Sequence, residues 1–277
     1  MQHLQWFPGH MTAAMRMMEE NLKAVDGVLA VLDARAAKAS VNAKLENLFK
    51  DKKVLYVLNK CDLISPEDAR KTVKRLKEEG KVAVAVCATD KRTVDMLYDG
   101  IFGLLKEKTA RYRAKGIARP LRVMVAGIPN TGKSTIINAI VGGKKAVTGD
   151  KAGVTRGKQW VRIKELELLD TPGTMPPAFE NQTYARHLAY IGSMNDANID
   201  VAELAFEFIS EIKETYPDAL KKKYGLSDAT LPANEIMDEI CARRGFLLKG
   251  GELDYERCGK AVLDDFRKGR IGLIKLD

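Results

Sequence analysis

Residues 127–134 read Gly127-Ile128-Pro129-Asn130-Thr131-Gly132-Lys133-Ser134. The octapeptide fits GxxxxGK[ST] at every defined position, follows the apolar run 122–126 and opens the helical pattern 133–141. Strand, glycine loop and helix in that order make a phosphate cradle. The glycines let backbone N–H groups turn toward phosphate oxygens, and the helix N-terminus adds positive potential. In such a cradle Lys133 bridges the β- and γ-phosphates of a triphosphate and Ser134 holds Mg²⁺. Asn130, Thr131, Gly132 and Thr135 are its other expected contacts.

Apolar β-rich runs alternate with amphipathic patterns on both sides of this loop. Strands are predicted at 27–32, 54–58, 82–86, 122–126, 159–163 and 166–169, and helices around 12–25, 66–79, 93–108 and 133–141. That alternation predicts an α/β fold with a mostly parallel sheet. The basic stretch 106–122 reads as a helix end running into a connector. Beyond about residue 180 the strand signals fade, and helical spacing returns near 184–193, 201–216, 233–244 and 255–268. Two domains are expected: 1–178, α/β and carrying the cradle, and 179–277, all helical.

Four more motifs complete a site. Asp170-Thr171-Pro172-Gly173 ends the strand 166–169. Asp170 suits a Mg²⁺ contact through water, and the Gly173 N–H can reach a γ-phosphate. Gly153-Val154-Thr155 lies between, and Thr155 can give Mg²⁺ a hydroxyl and a carbonyl. Asn59-Lys60-Cys61-Asp62 follows the strand 54–58. The Asp62 carboxylate can accept from guanine N1–H and the 2-amino group, a donor pair adenine lacks, and such sites discriminate strongly. The Lys60 stem can cover the flat base. Cys87-Ala88-Thr89, after the strand 82–86, suits a loop whose N–H meets guanine O6.

The 277 residues are 45% hydrophobic and 30% charged, which excludes disordered and fibrous classes. No apolar run approaches the roughly 20 residues of a membrane helix. The first residues carry no export signal, so the four cysteines, which form no CxxC pair, read as reduced thiols of a cytosolic protein. Residues 1–179 hold 32 basic and 19 acidic side chains, and residues 180–277 hold 14 and 18. A basic field of that kind favours a polyanion, nucleic acid before membrane. The clusters at 106–122 and 144–164 are the candidate RNA contacts, and Lys221-Lys222-Lys223 complements a helix end. Met15, Met17 and Met18 read as core. His3 and His187 sit in no motif and read as surface residues.

The motifs resemble those of the TRAFAC GTPases in a circularly permuted order: NKCD, CAT, P-loop, GVT, DTPG. With Pro8-Gly9-His10-Met11, Asp33-Ala34-Arg35 and a helical tail, the chain resembles the ribosome biogenesis GTPase A (YlqF) family over nearly its whole length. The resemblance implies a P-loop GTPase fold and GTP hydrolysis to GDP coupled to assembly of the large ribosomal subunit. It implies docking on rRNA of the subunit precursor, a bacterial cytoplasmic setting and a monomer off the ribosome. It also implies K⁺ at Asn130, where a cation offsets transition-state charge, and His10 as the group that orients the attacking water. Two departures stand out. Thr174 follows the DTPG glycine, where signalling GTPases have glutamine and this family an apolar residue. The segment 36–42 lacks the family's Pro- and Ser-rich character. Asp33-Ala34-Arg35 therefore makes Arg35 a candidate structural ion-pair partner. Two rival readings are a GTP-responsive scaffold with little hydrolysis and an ATP-using P-loop enzyme.

Overall fold

The structure, a computed structural model, describes residues 10–143, 159–176 and 179–277, with only the backbone of His10. In chain order the elements are α1 (His10–Leu22), β1 (Gly27–Asp33), α2 (Ala43–Leu48), β2 (Lys53–Asn59), α3 (Pro66–Glu78), β3 (Val82–Val86), α4 (Lys91–Leu104), α5 (Lys106–Ala114), β4 (Leu121–Ala126), α6 (Lys133–Val141), β5 (Gln159–Ile163), β6 (Leu166–Asp170), α7 (Gln182–Tyr190), α8 (Val201–Thr215), α9 (Pro217–Tyr224), α10 (Ala233–Arg244) and α11 (Tyr255–Arg267).

The sheet runs β3-β2-β1-β4-β6-β5, parallel except for β5, which forms a hairpin with β6. Side-chain alternation sorts its two faces. Leu29, Val31, Leu55, Val57, Val123 and Val125 bury against α4 and α6, while Val28, Leu32, Tyr56, Leu58, Met124 and Ala126 bury against α1, α2 and α3. Local chemistry sets the helix ends. At α3, Ser65 Oγ accepts from Asp68 N at 3.0 Å, Pro66 takes the first turn, and Arg75 and Lys77 lie in the last.

Two expectations change. The basic stretch does run from helix into connector, but the helix is a separate one: α4 stops at Leu104, α5 carries residues 106–114, and the connector is confined to 115–120. The sequence pattern marks no helix at α2. Asn42 caps it by accepting from Lys44 N at 3.1 Å. Met18 is fully buried and Met15 packs beside it, as expected of core methionines, whereas Met17 is half-buried and belongs to none of the core clusters.

The helices α7–α11 gather around α8. Phe208 stacks between Tyr190 and Phe266, with ring centroids 5.2 and 4.6 Å away. Gly259 lets α11 approach α8, because a Cβ there would lie 2.6 Å from the Val201 carbonyl oxygen. Met11, Ile128 and Met175 join the same apolar cluster, so the helical part and the sheet's loop end share a core.

His187 is a correction. It is 2% exposed, because α7 is enclosed on nearly all sides, with Ala185, Leu188, Ala189 and Tyr190 buried as well, and its Nε2 meets Glu211 Oε1 of α8 at 2.6 Å.

Candidate nucleotide-binding site

The parallel strands β1, β2, β4 and β6 end side by side, and register sets Asp33 beside Asn59, Asn59 beside Val86 and Val125 beside Asp170. Loops leaving that edge carry every described motif. Ligands bind outside the carboxyl ends of such strands.

The loop 127–132 is wrapped too tightly for side chains at its glycines. A Cβ on Gly127 would lie 2.4 Å from Val31 O, and one on Gly132 would lie 2.4 Å from Asn59 Nδ2. Thr131, fully buried, donates its hydroxyl to Ile128 O at 3.1 Å. Lys133 is 7% exposed, and among the described residues its ammonium donates to one group, Ile128 O, at 2.8 Å. Burial pulls its pKa down to about 8, against the pull of Asp170. A dry ammonium with one carbonyl for company is under-compensated, and phosphate oxygens would complete it. Ser134 Oγ donates to Asp170 Oδ2 at 2.7 Å. A hydroxyl and a carboxylate meeting beside a phosphate cradle are the hard oxygen donors Mg²⁺ uses. Gly173 packs on this loop so closely that a Cβ would lie 2.6 Å from Pro129 Cα.

The NKCD motif faces the same loop. Asn59 Nδ2 donates to Thr131 O, and Lys60 Nζ to Asn130 O, each at 2.7 Å. Lys60 and Asn130 both take the left-handed conformation, with φ 59°. Asp62 sits on the short helical turn Cys61–Leu63, exposed, and its carboxylate makes no hydrogen bond or ion pair among the described residues. In the third loop the Cys87 N–H is already committed to Thr93 Oγ1 at 3.0 Å, so Ala88 is the better-placed donor of the pair.

Beneath the site lies a buried network. Asp33 accepts from Arg35 Nη2 at 2.7 Å and pairs with Lys60 Nζ at 2.8 Å. Arg35, 1% exposed, also donates to Arg267 O at 3.1 Å and lies over the Phe266 ring. It is therefore structural, tying the loop after β1 to α11. Burial alone would raise the Asp33 pKa, but Arg35 and Lys60 hold it well below the usual carboxylate range. A depressed native pKa stabilises the fold above the unfolded value and loses that contribution as pH falls below it. Asp33→Asn is expected to lower stability by about 3 kcal/mol at neutral pH. The gap narrows once the pH drops below the ordinary Asp value of 3.8. Urea unfolding of both chains at several pH values checks this.

Some partners of the site carried no signal in the sequence. Ser193 Oγ donates to Pro129 O at 2.7 Å, and Asn130 Nδ2 donates to Gly192 O at 2.5 Å, so the turn after α7 sits directly on the P-loop. Gly192 takes φ 78° there, and its neighbour Arg267 grips Ala189 O at 2.8 Å and Tyr190 O at 3.0 Å. Asn42 Nδ2 donates to Thr174 O at 3.1 Å. Thr174 is fully buried, and its hydroxyl has no hydrogen-bond partner among the described residues. Ser193→Ala leaves the Pro129 carbonyl unpaired and is expected to lower stability by about 1–2 kcal/mol, read by urea unfolding.

Thr155, His3, the motif residues Pro8 and Gly9, the basic residues 144–158 and the His10 side chain lie outside the described residues. Among the described residues no cluster of three His, Cys, Asp or Glu could hold a metal, all four cysteines are free, and no helix is long and apolar enough to cross a membrane.

The family model described as a 50S ribosome-binding GTPase matches residues 122–226. The chain is 38% identical to ribosome biogenesis GTPase A of Priestia megaterium, across 99% of this chain and 96% of that one. It is 36% identical to the protein of that name from Bacillus pumilus, across 99% and 98%. Among solved structures, GNP-bound YlqF from T. maritima superposes with a TM-score of 0.67 at 26% identity, covering 96% of this chain and 97% of that one.

Proposed function

Since the chain belongs to the ribosome biogenesis GTPase A family, we propose that it docks on rRNA of the large-subunit precursor with GTP bound and leaves after hydrolysis. It is a GTPase, and its fold is the circularly permuted P-loop GTPase fold plus helices. The observation that carries the reading is the pair of hydrogen bonds from Asn59 and Lys60 to the P-loop backbone. Segments about seventy residues apart thereby face one cleft.

In this reading Asp62 accepts from the guanine N1–H and 2-amino group, the Lys60 stem covers the base, and the Ala88 backbone N–H meets O6. Asn130, Thr131, Gly132, Lys133, Ser134 and Thr135 wrap the phosphates, and Gly173 reaches the γ-phosphate. Ser134, Asp170 and Thr155 are the residues to hold Mg²⁺. When bound, the ion offsets charge on the β- and γ-phosphates. A K⁺ on Asn130 would use the amide oxygen, since the amide nitrogen serves Gly192.

Residues 1–178 form the GTPase unit and 179–277 the docking unit. The contacts from Gly192 and Ser193 to the P-loop support coupling between them. Nucleotide-dependent order in the Thr155 and DTPG loops would alter how the helical unit sits on RNA.

The test is steady-state GTP hydrolysis with and without large ribosomal subunits, in KCl and in NaCl. Stimulation by subunits, larger in K⁺, is expected; turnover indifferent to subunits contradicts the docking reading. In the same assay His10→Ala is expected to slow subunit-stimulated turnover by roughly 10²-fold, within the range for a lost general base, with GTP affinity kept. Unchanged turnover removes His10 from the reaction.

A further inference from the structure

Helix α5 buries none of its residues. A nine-residue helix that is polar all round gains little from the core and is marginal by itself. Lys106 and Lys108 in its first turn also oppose the helix dipole. Its tether is on one side only. Tyr112 Oη donates to Asp26 Oδ1 at 2.6 Å, Arg119 Nη2 pairs with the same oxygen at 3.0 Å, and Lys108 Nζ lies 3.7 Å from it. Farther on, Arg122 pairs with Glu167 at 2.8 Å and lies over Trp160.

Three cations of the basic stretch are thus matched to buried or half-buried carboxylates. The other four, Lys106, Arg111, Arg113 and Lys115, are exposed and pair with no carboxylate among the described residues. At about 100° per residue, Lys106 and Arg113 fall along one edge of the outward face and Arg111 and Lys115 along the other. Between them run the small side chains of Ala110 and Ala114, with Glu107 the lone acid.

We propose that this face of α5 is a docking surface for the phosphate backbone of RNA. It rests on the reading that the chain docks on rRNA and assigns that contact to four residues. Two rows of unpaired cations beside a strip of alanines let a polyanion come close and release its counterions. Such contacts fix position and carry no base preference. A membrane surface fits less well, because an interfacial helix needs Trp, Phe or Leu to insert, and this face offers only alanine.

The experiment measures binding of the full chain to purified large-subunit rRNA over a series of KCl concentrations. The quadruple variant Lys106→Ala/Arg111→Ala/Arg113→Ala/Lys115→Ala is compared with Lys108→Ala, whose cation is held by Asp26. The quadruple variant is expected to bind roughly tenfold or more weakly, with the slope of log affinity against log salt reduced by about 3, while Lys108→Ala keeps nearly the parent slope. GTP affinity and the thermal midpoint of the quadruple variant should match the parent, because the four side chains are exposed and outside the nucleotide site. An unchanged affinity and slope overturns the assignment to α5 and leaves the docking reading standing. Failure of the parent chain to bind rRNA overturns both. Binding of the parent to phosphatidylserine vesicles that the quadruple variant loses, with rRNA binding intact, reassigns the face to membranes and likewise overturns the proposal.

Discussion

Lys133→Ala is expected to weaken GTP binding by about 3 kcal/mol, on the order of 100-fold, because a buried cation paired with phosphate is among the costliest partners to remove. The ammonium is already placed. It is 7% exposed, it touches Ile128 O at 2.8 Å, and burial depresses its pKa to about 8. Its desolvation is therefore met when the chain folds, and the phosphates gain a charge that need not be ordered first. Truncation deletes that charge and leaves a dry gap on the cradle floor. The variant should still fold, since Lys133 pairs with no carboxylate whose partner would be lost. Isothermal titration with GTP reads the effect, and an unchanged dissociation constant would remove the P-loop assignment.

Asp62→Asn is expected to change which base is held. A carboxylate accepts twice from the N1–H and 2-amino group of guanine. An amide in its place offers one acceptor and one donor, and the donor meets another donor. Xanthine carries a carbonyl where guanine has its amino group, so the amide matches it. GTP affinity should fall by roughly 10²-fold or more, and xanthosine triphosphate should become the better ligand. Asp62 suits such a swap, because it is exposed and makes no ion pair among the described residues, so no internal partner is stranded. Competition between the two nucleotides on parent and variant decides it. An ATP-using enzyme would show no exchange of preference.

Most of the sheet was readable because its strands are buried on both sides and written as near-continuous apolar runs. β1 was expected at 27–32 and spans Gly27–Asp33; β6 was expected at 166–169 and spans Leu166–Asp170. Helix α2 was missed because six residues give too little periodicity, and its cap at Asn42 looks like any loop asparagine. The extent of α5 and its break from α4 are not legible because no apolar stripe marks it; its anchor, Asp26, lies 86 residues before Tyr112. The burial of His187 is not legible because it belongs to no motif, and its Glu211 partner is known only once α7 lies against α8.

The nucleotide loops were legible for a different reason. A phosphate cradle and a guanine-matching carboxylate each demand particular residues at fixed spacing, so chemistry writes itself into short strings. The support beneath them is written nowhere locally. Arg35 reaching the end of α11, Ser193 on Pro129 and Asn42 on Thr174 each join distant segments through one or two hydrogen bonds, and no spacing rule announces them. The Arg35 and Ser193 contacts tie the helical part to the loops at the sheet's edge, so the residues that join the two units are among the hardest to find from sequence.

Titration calorimetry of the parent chain with GTP and with ATP, in Mg²⁺, probes whether the Asn59-Lys60-Cys61-Asp62 turn and the 127–134 loop enclose one nucleotide. Binding of GTP at a single site, with ATP weaker by on the order of 1,000-fold, is the expected outcome. Equal affinity for the two nucleotides would mean that the phosphate loop works without Asp62 and that the two motifs do not share a ligand.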